Sequence, residues 1–64
     1  MILRIFKDGG NKVERIERLV KVINHSFGTG NNGMDIEIYV LNPDCTIETK
    51  KMHLDRWDFY DVEA

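Results

Sequence analysis

Sixty-four residues make a single domain, 1–64, whose core supplies only about 3–5 kcal/mol of net stability. Its single cysteine, Cys45, rules out an internal disulfide. Cys45, His25 and His53 lack the paired spacing of a structural metal site, so neither metal nor cofactor is expected. The net charge of −2 hides a division along the chain. Residues 1–21 hold six cations against three carboxylates, and residues 35–64 hold eight carboxylates against three cations. Such a layout steers partners more than it shapes a fold. No charged leader precedes a long apolar run, and no run reaches membrane length, so the chain reads as soluble and cytoplasmic with no membrane contact.

In chain order, Met1 to Lys7 reads as a strand with apolar residues on both faces, as if covered on each side. Asp8-Gly9-Gly10 breaks it, and Asn11 with Glu14 three positions on resembles a helix start. Lys12 to Phe27 then reads as a helix: Val13, Ile16, Val20, Ile23 and Phe27 recur at three- and four-residue steps. Leu19 and Val22 widen the stripe, while Glu14–Arg18 and Glu17–Lys21 are spaced as i,i+4 ion pairs. Gly28 suits the helix end.

Met34 to Leu41 alternates as a strand, with Ile36, Ile38 and Val40 on one face and Asp35, Glu37 and Tyr39 on the other. Asn42-Pro43-Asp44-Cys45 is a turn, and Thr46 to His53 is a polar edge strand protected by Lys50 and Lys51. The segment from Leu54 to Ala64 holds three of the six aromatics and reads as a short strand or arm. Its alternation is expected to send Trp57 and Phe59 to the core and Asp58, Tyr60 and Asp61 outward. The predicted fold is α+β in two layers, one helix on a three- to four-stranded sheet, in the order β-α-β-β plus the C-terminal strand or arm. The first and second strands would form a parallel crossover or lie one strand apart.

Few motifs point to chemistry. Gly28 to Gly33 matches G-x-G-x-x-G, but the glycines follow a helical pattern and precede a strand, so no helix N-terminus waits for a phosphate. Gly30 to Gly33 matches a G-x-x-G clamp without the second helix that motif needs. A Cys–His pair from Cys45 with His25 or His53 would need a fold that joins them, and Asp35 with Glu37 reads as a solvated strand face; no enzyme activity is expected.

The reading that follows is a small accessory or regulatory protein acting by protein–protein contact. Its surface would be Asp35, Glu37 and Tyr39 with Trp57, Asp58, Tyr60 and Asp61, and an acidic aromatic face of this kind suits an inhibitor of a nucleic-acid-handling protein. The wide stripe at Leu19 and Val22 adds homo-oligomer formation to the expectation. The alternative is a nucleic-acid-binding module using Arg4, Lys12, Arg15 and Arg18; Glu14 and Glu17 among them weaken it.

Overall fold

Leu3, Ile5, Leu19, Ile36, Ile38 and Leu54 are buried together and form the core. The computed structural model describes residues 1–25 and 33–64. Six strands appear in order: β1 (Ile2–Lys7), β2 (Lys12–Ile16), β3 (Leu19–Asn24), β4 (Met34–Leu41), β5 (Ile47–Leu54) and β6 (Phe59–Glu63). They form two antiparallel three-stranded sheets, β2-β1-β6 and β3-β4-β5. β2, β1 and β6 supply Ile16, Leu3, Ile5 and Tyr60 to the core from one sheet; β3, β4 and β5 supply the rest from the other. Backbone bonds from Leu19 N to Met1 O (2.9 Å) and from Leu41 N to Arg18 O (3.0 Å) tie the sheets at one corner.

The expected α+β fold is overturned. Among the described residues the only helical piece is a 3-10 turn, Asp8–Gly10, and no helix packs on a sheet. That turn has φ of +54° at Asp8, +66° at Gly9 and +102° at Gly10, which reverses the chain and makes β1 and β2 a hairpin. Asn11 therefore closes the turn, its N–H bonding Asp8 O, and Glu14 meets Lys7 at 3.5 Å in place of a helix cap. The predicted helix is two strands, β2 and β3, broken at Glu17-Arg18, where Arg18 adopts φ of +60°. Val13, Ile16, Val20, Val22 and Ile23 are β-branched, which lowers helix propensity and suits a pleated surface. The predicted end of that helix, with Gly28 and the glycine motif as far as Asn32, lies outside the described residues.

Other expectations stand. β4, the turn at Asn42–Cys45 and β5 form the expected hairpin, and β5 is an edge strand of its sheet. Asn42 O accepts from Cys45 N at 3.0 Å, and Asp44 accepts from both the N–H and the hydroxyl of Thr46. The expected crossover or one-strand separation of β1 and β4 is overturned: β1 pairs antiparallel with β2 and β6, and β4 lies in the other sheet. β6 is the C-terminal strand.

Candidate interaction surface

The predicted acidic set divides. Asp35, Glu37 and Tyr39 share the outward face of β4, opposite the buried Ile36 and Ile38. Each carboxylate there is already engaged. His25 Nε2 lies 3.0 Å from Glu37 Oε1, and Tyr39 donates its hydroxyl to the same group at 3.2 Å. His53 Nδ1 lies 2.7 Å from Asp35. The hydrogen bond from His25 holds Glu37 below the usual carboxylate range, reinforced by Tyr39 against the opposing effect of desolvation. The Glu37 charge in turn raises Tyr39. Asp35, Glu37, His25 and His53 line a shallow open hollow with Lys51 and Met52.

That hollow is far from the thiol. Cys45 sits in the exposed turn at the Leu41 end of β4, and both histidines meet the Asp35 end. Six residue steps along the strand separate the ends, roughly 20 Å. The fold thus keeps Cys45 apart from His25 and His53. Among the described residues no group of three or more His, Cys, Asp and Glu side chains could hold a metal ion.

The C-terminal residues occupy other surfaces. Asp58 is a loop clasp: its carboxylate accepts from the N–H of Asp55 at 3.1 Å and of Asp8 at 3.3 Å, joining the β5–β6 connection to the β1–β2 turn. Trp57 projects from that connection, 55% exposed, with the Arg56 guanidinium 5.1 Å over its ring. Tyr60 turns inward, packs on the core and accepts a bond from Asn24 at 3.4 Å. Asp61 turns outward to Arg4. The expected division is reversed for the aromatics, with Trp57 and Phe59 outside and Tyr60 on the core, while Asp58 and Asp61 stay outside it as expected. The cause is register. β6 pairs Ile5 with Tyr60 and Phe6 with Phe59, so the inward parity of β1 dictates that of β6.

This register builds a surface that sequence reasoning missed. On the outward face of β2-β1-β6, Val13, Phe6 and Phe59 stand in one row across three strands, and Arg15, Arg4 and Asp61 stand in the next. Val13 is 53% and Phe59 48% exposed. The Phe6 and Phe59 rings stack at 4.7 Å, and the Arg4 guanidinium lies 5.6 Å from the centre of the Phe6 ring. Arg4 Nε donates to Asp61 at 2.8 Å, its Nη2 donates to the other carboxylate oxygen, and Glu63 stands 3.8 Å away. The hydrogen bond from Arg4 holds Asp61 below its ordinary range and, reciprocally, raises the Arg4 guanidinium, in each case against desolvation. The signal for this face was the alternation Ile2-Arg4-Phe6 against Leu3-Ile5, legible once the described residues are seen to cover β1 on one side only.

The predicted basic set is also dispersed. Arg4 and Arg15 share this face, Lys12 stands 3.9 Å from Asp8 beside the hairpin turn, and Arg18 forms the corner between the sheets. No family model matches the chain, and no curated protein or solved structure matches it. No helix among the described residues is long and apolar enough to cross a membrane.

Proposed function

We propose that this chain is a small accessory protein that acts by binding another protein chain, through the outward face of β2-β1-β6. The observation behind this reading is the row Val13–Phe6–Phe59, an aromatic and apolar band left open to solvent on a domain with few large side chains. Aromatic residues displayed on a rigid sheet give large contact area at small entropic cost, the character of interface hot spots. The charges beside the band balance: Arg4 and Arg15 stand against Asp61 and Glu63. A balanced rim suits a protein surface better than a phosphate backbone, which rewards uncompensated cations. The same balance, and the histidine partners of Asp35 and Glu37, argue against an acidic imitation of nucleic acid.

A photo-crosslinking amino acid placed at Phe59 tests the proposal in the native cells. Adducts with a protein at that position, absent when the same group replaces Thr49 on the other sheet, support it. Adducts with nucleic acid, or equal labelling from both positions, overturn it.

A further inference from the structure

We infer that a second copy of this chain covers the outward face of β2-β1-β6, related to the first by a two-fold axis between the sheets and parallel to β1. The inference rests on the reading of that face as the contact surface and names its occupant. The face has opposite character on its two sides: β2 contributes Val13 and Arg15, β6 contributes Phe59 and Asp61, and β1 places Phe6 and Arg4 on the midline. Rotation about an axis along β1 exchanges the two sides while keeping position along the strands. It lays Val13 on Phe59 of the second copy and Arg15 on Asp61 of the second copy, each twice, with Phe6 meeting its own counterpart. Apolar row meets apolar row, and each outer cation meets a carboxylate.

An axis running across the strands keeps β2 over β2, so Arg15 and Asp61 never meet. The charge pattern thus selects one symmetry, as an isologous interface requires. The midline Arg4 residues would repel if bare, but each is held by Asp61 and flanked by Glu63 of its own chain. Sheets packed face to face fill the space between them with interdigitating side chains, and the Phe6–Phe59 stack is already ordered for that role. A face of three short strands belongs with interfaces below about 1,200 Å², so the dimer dissociates readily.

Sedimentation equilibrium of the full chain, up to about millimolar concentration, tests the inference. Wild type is expected to dimerise with concentration. Arg15→Asp and Asp61→Arg, each confirmed folded by circular dichroism, are each expected to weaken the dimer by more than about tenfold, because like charges then face each other. Mixed one to one, they are expected to associate more tightly than either variant alone, since each introduced charge meets its opposite across the interface even though Arg4 of the Asp61→Arg copy loses its carboxylate partner. Val13→Asp, on an exposed edge-strand position, is expected to abolish dimerisation and serves if Asp61→Arg does not fold. A wild type that stays monomeric, a dimer indifferent to Arg15→Asp and Val13→Asp, or two folded charge variants whose mixture fails to associate overturns the inference. If the chain is monomeric yet crosslinks another protein from position 59, self-association falls while the contact-surface reading stands; with no such adduct both fall.

Discussion

Phe6 and Phe59 stack across β1 and β6 with ring centroids 4.7 Å apart and planes only 12° from parallel, on the face of the sheet that no described residue covers. Their neighbours on the same strands, Ile5 and Tyr60, point the other way into the core. One register therefore decides both which side chains hold the domain together and which are displayed.

The first prediction separates those roles. Phe59→Ala loses a stacked pair at a half-exposed position, so its stability cost is expected to be about 0.5–1.5 kcal/mol. Ile38→Ala empties a fully buried site and is expected to cost about 2–5 kcal/mol. Urea denaturation of the two variants checks the order; equal losses would mean that Phe59 is core.

A second prediction concerns acid. The hydrogen bond from Arg4 lowers the Asp61 pKa, and that from His25 lowers the Glu37 pKa. A carboxylate whose folded pKa is depressed contributes stability that is present above its unfolded pKa, about 4, and lost as pH falls through the folded value. Wild type should therefore lose melting temperature steadily below about pH 4, and Asp61→Asn should show a shallower loss over that range. Melting curves from pH 7 to strong acid decide it; parallel slopes would show that the Arg4–Asp61 pair contributes no such linkage.

The entry to β4 gives a third. Gly33 has φ of +96°, and a Cβ there would run into the carbonyl oxygen of Leu54. Since the opposing atoms of Leu54 and Asp55 are all backbone, Gly33→Ala is expected to destabilise by about 1–3 kcal/mol, read by thermal melting. A neutral substitution would mean that β4 does not approach the end of β5 as closely as described.

The turn between β4 and β5 predicts a gain. Cys45 adopts φ of +68°, a conformation that disfavours a side chain and suits the residue after a type I hairpin turn. Cys45→Gly is expected to stabilise by about 0.5 kcal/mol, the relief of strain being partly offset by glycine's unfolded entropy. A lower melting temperature would contradict this account of the turn.

Much of the second sheet was legible in the sequence. Ile36, Ile38 and Val40 alternate without interruption, and Asn42-Pro43-Asp44 announces a turn before the lysine-bearing edge strand. The first half misleads for identifiable reasons. A bulge in β3 between Leu19 and Lys21 puts Leu19 and Val22, three residues apart, on the same inward face, which imitates helical spacing. The corner at Glu17-Arg18 uses a non-glycine residue with positive φ, so no glycine or proline marks it. Asp8-Gly9-Gly10, read as the approach to a helix, is a hairpin turn. The parity of the C-terminal strand is set by its register with β1, a non-local fact that alternation within residues 54–64 cannot supply. The contact surface inherits the last two difficulties, because Val13, Phe6 and Phe59 come from three strands brought together only by the hairpin turn and that pairing.

The central claim, that a second copy of this chain covers the outward face of β2-β1-β6, is tested most directly by amide chemical shifts of the labelled protein over a dilution series. The account predicts concentration-dependent shifts at Phe6, Val13, Arg15, Phe59 and Asp61, with Tyr39, Thr49 and Lys51 on the opposite sheet unchanged. Shifts confined to the β3-β4-β5 face, or a spectrum that does not change up to about millimolar concentration, would contradict it.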